Sequence, residues 1–100
     1  MIIFIICKNK KEAGKIGLAL LQKRLAGCIV VIPKVFSAYR WKGKVEKTSE
    51  AVLFVKTLKK KFREVEKEVV RLHSYEIPLV AALPVIKANK SYLAWLGKEI

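Results

Sequence analysis

Three side chains carry the most distinctive chemistry in this sequence: Cys7 at the end of the apolar run Ile2-Ile3-Phe4-Ile5-Ile6, the only histidine, His73, and Glu76 shortly after it. A thiolate and an imidazole suit copper or zinc, and two such ligands leave a tetrahedral site to be completed by water or by another chain. Each residue also has an ordinary role available. Cys7 can be a packed strand-end thiol, and His73 a cation at the negative end of a helix dipole. Catalysis finds little to work with: there is no Asp, one His, and no Ser or Cys in a Gly-flanked turn that would present a nucleophile, so a non-enzyme is expected. No Gly-Lys-Ser or Gly-Lys-Thr follows a strand, and Gly14 and Gly17 fall inside a helical pattern, which excludes a Gly-rich phosphate loop.

The charge is strongly basic, 21 Lys and Arg against 8 acidic residues, net +13. Residues 1–61 hold 15 basic and 3 acidic side chains, residues 62–100 hold 6 and 5, so the excess sits in the first half. Such a chain attracts anions at long range and repels free divalent ions. Lys8, Lys10, Lys11, Lys59, Lys60 and Lys61 would draw nucleic-acid phosphates at low salt. A dedicated nucleic-acid site nevertheless ranks behind a solvated basic surface. Arg, the bidentate phosphate ligand, is scarce, and the runs holding Phe4 and Phe54 are aliphatic, unlike the aromatic-rich strands on which RNA bases stack.

One hundred residues, 53% apolar and 29% charged, describe one folded domain over residues 1–100. No stretch nears the roughly 18 consecutive apolar residues of a membrane span, and Ile2 to Cys7 is too short for a signal peptide, so a cytoplasmic protein without membrane insertion is expected. The only cysteines, Cys7 and Cys28, sit in apolar runs, which argues against a disulfide scaffold.

Ile2 to Cys7 reads as a strand buried on both faces. Ala13, Ile16 and Leu20 predict an amphipathic helix from Lys11 to about Leu25, with Gly17 allowing close approach to a sheet and Gly27 ending the helix. Cys28 to Ile32 is a second strand, Pro33 marks an edge or a bulge, and alternation resumes from Val35 to Trp41. Lys42-Gly43 is a two-residue turn, and Val45 to Thr57 is the returning strand. Leu58, Phe62, Val65, Val69 and Leu72 recur at helical spacing up to His73-Ser74. Leu79 to Val85 reads as a last strand, and Asn89 as the cap of a short terminal helix.

The order β-α-β-β-α-β plus a C-terminal helix is the α+β, ferredoxin-like split βαβ arrangement, with two helices on one face of an antiparallel sheet. The other face would expose Ile, Phe and Val, so copies of the chain are expected to cover one another.

Several pieces occur together in a familiar order: Arg24-Leu25-Ala26-Gly27-Cys28, then Ser37, Tyr39, Trp41, Gly43-Lys44, Glu46, Glu50 and Lys56-Thr57, then Leu72-His73, Tyr75, Pro78 and Tyr92-Leu93-Ala94-Trp95-Leu96. Spread over nearly the whole chain, they resemble the CutA divalent-cation tolerance proteins. The resemblance implies a homotrimer related in architecture to the nitrogen-signalling PII trimers, with the hairpin around Trp41-Lys42-Gly43 reaching onto a neighbour. It further implies tolerance of, or response to, divalent cations, chiefly copper. No cofactor is required, and copper or another divalent ion is the candidate ligand. The copper site of some members corresponds to Cys7 and His73, whereas Leu72 and Leu79 stand where those members have a second His and a carboxylate. Tyr39, Trp41, Glu50, Lys56, His73 and Tyr75 are implied to line a cleft between subunits. A PII-like module holding a small anion or nucleotide through Lys56 is the alternative reading.

Overall fold

The computed structural model describes residues 1–100. Strand β1 (Ile2–Cys7) is followed by helix α1 (Lys10–Gln22), and β2 (Cys28–Trp41) and β3 (Lys44–Lys56) form a long hairpin. A 3-10 turn (Lys59–Lys61) leads into α2 (Phe62–Leu72), and β4 (Val80–Leu83) and α3 (Lys90–Glu99) complete the chain. The antiparallel sheet has the order β2-β3-β1-β4, so the two strands apolar at every position, β1 and the second half of β3, are its centre.

Alternation along β1 sends Ile3, Ile5 and Cys7 to the helix side, opposite Val55, Leu53 and Ala51 of β3. These join Ile16 and Leu20 of α1 and Val65 and Val69 of α2 in one cluster of 13 buried residues. The close approach expected at Gly17 is present: a Cβ there would overlap Ile29 Cδ1 and crowd Leu53 Cδ1. Pro33 interrupts edge strand β2 as anticipated, since the register slips between Ile32 and Val35. Lys42 and Gly43 both take positive φ, 51° and 80°, the backbone of a type I′ turn that pairs Trp41 with Lys44.

Several details differ from the sequence reading, among them a shorter last strand, Val80–Leu83 in place of Leu79 to Val85. Helix α1 stops at Gln22, and Gly27 does not end it. Arg24 adopts the left-handed conformation, φ 56°, with Leu25 N–H donating to Leu20 O (2.9 Å) and Arg24 N–H to Leu21 O (3.0 Å). This is a Schellman cap built without glycine, and it turns Leu25 back into the core beside Leu20. Gly27 instead makes room for α3, because a Cβ there would overlap Leu96. The helix expected from Leu58 begins as a 3-10 turn, with three lysines against the positive end of the helix and no side-chain cap at Lys61. Asn89 does occupy the position before α3, yet its amide bonds Ser91 Oγ and leaves the helix uncapped.

Across the sheet end, the fully buried Thr57 donates its hydroxyl to Leu25 O (2.6 Å), tying the end of β3 to the turn after α1. Thr57→Val keeps the side-chain shape and leaves that carbonyl without its donor. The expected loss is about 1–2 kcal/mol of unfolding free energy, read by urea denaturation.

Candidate functional site

Helix α1 starts with Asn9, whose side chain accepts from Glu12 N–H (2.9 Å). The carboxylate of Glu12 folds back over the same turn, accepting from Lys8 N–H (2.9 Å) through one oxygen and from Ser74 N–H (3.0 Å) through the other. It therefore joins the start of α1 to the residues just after α2. His73 leaves α2 in extended conformation, and its Nε2 donates to Ile6 O (2.7 Å) at the end of β1. The other ring nitrogen, Nδ1, accepts from Tyr75 N–H (3.1 Å) and faces Glu12 Oε1 at 3.8 Å. Both nitrogens of the imidazole are thus committed to backbone. The side chain is wholly buried, a bracket between β1 and the loop that follows α2.

Cys7 closes this cluster: a ligand atom from each of Cys7, Glu12 and His73 can be chosen such that all lie within 4.8 Å of one another. Burial, with the charges of Glu12 and Glu50 behind it, pushes the Cys7 thiol up to about 12, so it stays protonated near neutral pH. Burial works against the Glu12 carboxylate too. The hydrogen bonds from Lys8 and Ser74 outweigh it and hold Glu12 below the usual range. Sequence reasoning named Cys7 and His73 and missed Glu12, whose only local signal is the Asn9-x-x-Glu12 helix start. Glu76 is not part of the cluster.

Beyond His73 the chain turns over the open face of the sheet and walls a cavity of about 440 Å³. Ile6, Tyr39, Trp41, Glu50, Tyr75 and Glu76 line it together with Ile77 and Leu79. The Tyr75 hydroxyl donates to Glu50, and burial, followed by that bond, pushes the phenol upward from its ordinary value. Within one chain, Tyr39, Trp41, Glu50 and Tyr75 line this cavity. Lys56 of the same chain lies at the other end of β3, its Nζ 5.5 Å from the Tyr92 ring centroid in an apolar pocket under α3. Leu72 packs against the core and Leu79 faces the cavity, so neither position of the implied ligand set contributes a donor.

Topology and site together define a ferredoxin-like α+β subunit with a buried thiol, imidazole and carboxylate at one sheet end. Residues 1–99 match the CutA1 divalent ion tolerance protein family, and the chain belongs to that family. Protein CutA of Mus musculus is 41% identical over 93 residues, 93% of this chain and 52% of that protein, so the chain spans about half the length of this relative. The divalent-cation tolerance protein CutA of Thermus thermophilus is 37% identical over 98 residues, covering 98% of this chain and 95% of that one. Among solved structures, the periplasmic divalent cation tolerance protein CutA from Archaeoglobus fulgidus superimposes with a TM-score of 0.95 at 36% identity, over 98% of this chain and 95% of that chain. No helix here is long and apolar enough to cross a membrane.

The depressed pKa of Glu12 means that its stabilisation is present above the ordinary value of 4.5 and is lost as pH falls through the folded value. Glu12→Gln should cost about 1–3 kcal/mol at pH 7. In urea unfolding, the gap between variant and wild type should narrow once the carboxylate is protonated in both states.

Proposed function

We propose that this chain serves divalent-cation tolerance as a non-enzymatic homotrimer working in the cytoplasm. One observation carries the assembly: the sheet face away from the helices is apolar and open. Ile2, Phe4, Val30, Ile32, Phe54 and Leu83 share it, Val30, Ile32 and Leu83 are each about two-fifths exposed, and the Phe4 and Phe54 rings meet edge to face at 5.4 Å between them. A monomer would leave this aliphatic surface in water, and a second copy packed on it removes that cost. The two phenylalanines sit among branched aliphatics, a surface better suited to packing a protein than to stacking bases. Two free thiols support a reducing compartment. The fully committed hydrogen bonds of His73 and the protonated Cys7 support a non-catalytic role, because neither group is free to act as base or nucleophile.

A second reading, that the trimer also takes up copper or another divalent ion, rests on the cluster of Cys7, Glu12 and His73. By type these donors suit copper or zinc. As arranged, they are closed to an ion: the imidazole has no free nitrogen, and the thiol retains its proton. Uptake therefore requires the thiol proton to leave and one imidazole hydrogen bond to open, which makes this a conditional ligand set rather than an open coordination site.

Native mass spectrometry should give about three times the 11.4 kDa chain mass. Phe54→Asp, which places a charge in the centre of the open face, should return the single-chain mass; a wild-type monomer at micromolar concentration would overturn the assembly. If the ion reading is right, copper retained on the assembly falls in Cys7→Ser and in His73→Ala. It also weakens as pH is lowered, by roughly tenfold per pH unit for one released proton. Retention equal to wild type in both variants would remove these ligands from consideration.

A further inference from the structure

Positive charge on the helical layer is left without internal partners. Helices α1 and α2 with their adjoining turns, residues 8–24 and 59–72, hold 12 Lys and Arg against 4 Glu. Glu12 and Glu68 are buried, so only Glu64 and Glu66 stand at the surface of this layer. Of the 21 Lys and Arg in the chain, only Lys23 and Arg71 make ion pairs, both with Glu68. The unpaired lysines gather at two places: Lys8, Lys10 and Lys11 at the start of α1, and Lys59, Lys60 and Lys61 just before α2. These helices run antiparallel, because Ser74 N–H after α2 reaches Glu12 at the start of α1, while Leu25 after α1 accepts from Thr57 shortly before α2. The two clusters therefore stand at opposite ends of the layer, about 20 Å apart along the 13 residues of α1. Each lies against the positive end of a helix dipole, where lysine is electrostatically unfavourable. At α2 one first-turn acid, Glu64, stands against three lysines and no side chain caps the helix, so an external anion would gain from both the ammonium groups and the free N–H groups.

We propose that the helical layer binds double-stranded nucleic acid through its phosphates, without regard to base sequence. The layer lies on the side of the sheet opposite the apolar face assigned to assembly, so it stays open in the homotrimer. Binding does not require the homotrimer, which presents three copies of the layer and raises avidity. A single phosphate reaches one cluster only, whereas a duplex carries a charge about every 1.7 Å of its axis and offers phosphates to both. Lysine supplies point-charge contacts, which suit a phosphate backbone better than base edges. The one aromatic residue of the layer, Phe62, packs against the core, which leaves no platform for stacking the bases of a single strand. An anionic membrane is a poorer fit, because interfacial binding needs an apolar helix face in the lipid, and the apolar faces of α1 and α2 are turned to the core. The sheet strands, aliphatic and unsuited to base stacking, take no part.

The test is fluorescence anisotropy of two labelled DNA duplexes of unrelated sequence, titrated with the intact protein over a salt series. The two should bind equally, and affinity should fall about a hundredfold or more between about 50 and 200 mM salt. The combined substitutions Lys59→Gln, Lys60→Gln and Lys61→Gln should weaken binding about tenfold or more and flatten the salt dependence, since each lost phosphate contact removes about 0.9 from its slope. Lys8→Gln, Lys10→Gln and Lys11→Gln together should do the same from the other end. Neither set endangers the fold, because removing lysine from a helix start relieves its repulsion by the dipole. As a control of equal charge, Lys34→Gln, Lys44→Gln and Lys47→Gln on the hairpin should change affinity by no more than about threefold. The single-chain variant Phe54→Asp should show the same pattern at lower affinity, so failure of assembly and failure of this proposal are read separately. Equal weakening by the hairpin set would mean attraction by net charge alone and would overturn the assignment to this face. Absence of duplex binding at low salt, or tighter binding of the single strands, would also overturn it. Phosphatidylserine vesicles retained at a salt concentration that releases the duplex would identify a membrane as the occupant instead.

Discussion

A buried imidazole with both nitrogens engaged holds the functional end of this molecule together. His73 joins the end of β1, through Ile6 O, to the segment after α2, through Tyr75 N–H, and Glu12 secures the neighbouring residue through Ser74 N–H. In a low-dielectric interior each of these polar groups would be costly alone, and each is satisfied by backbone that would otherwise lack a partner. The three-element junction follows from that mutual requirement. Together with the pairing of β4 on β1, it sets Tyr75 beside Glu50 and gives the cavity its wall on that side.

The same junction explains why the exterior is even more basic than the composition implies. Three of the eight acidic residues, Glu12, Glu50 and Glu68, are buried, while the lysines project outward. Glu68 pairs with Lys23 and Arg71, bridging α1 and α2 on the helical layer. Glu12 and Glu50 are held by neutral donors at the opposite end of α1. Negative charge is thereby concentrated at internal contacts and in one cavity, and the long-range field is left to the lysines. A free divalent ion approaching this surface is repelled at long range.

The sheet has two faces with different destinies. On one, α1 and α2 bury Ile3, Ile5, Leu53 and Val55; on the other, Phe4 and Phe54 remain partly open. Close approach at Gly17 lets α1 sit flat on the first face, which is why the helical layer needs only two helices to close it. The C-terminal helix α3 adds to the other end by packing Leu96 over Gly27. Nothing within one chain reaches the centre of the second face.

Much of this was legible because the signals are local. β-branched runs marked β1 and β3, the spacing from Phe62 to Leu72 marked α2, and Lys42-Gly43 marked a turn whose two positive φ values only a short list of residues tolerates. Cys7 and His73 stood out by type. Their relation to Glu12 did not, because the contact from Glu12 to Ser74 spans 62 residues and no periodicity records it. The end of α1 was misread for a related reason: glycine is the usual left-handed cap, but here the burial of Leu25 against Leu20 drives Arg24 into that conformation. Within one chain, the antiparallel register places Lys56 at the far end of β3 from Glu50. The sequence by itself determined the elements, their order and the identity of the chemically able residues, since propensity and periodicity act over a few positions. Only the tertiary structure decided which of those residues meet and which hydrogen bonds consume them, since those outcomes depend on strand register and on contacts between segments far apart in the chain.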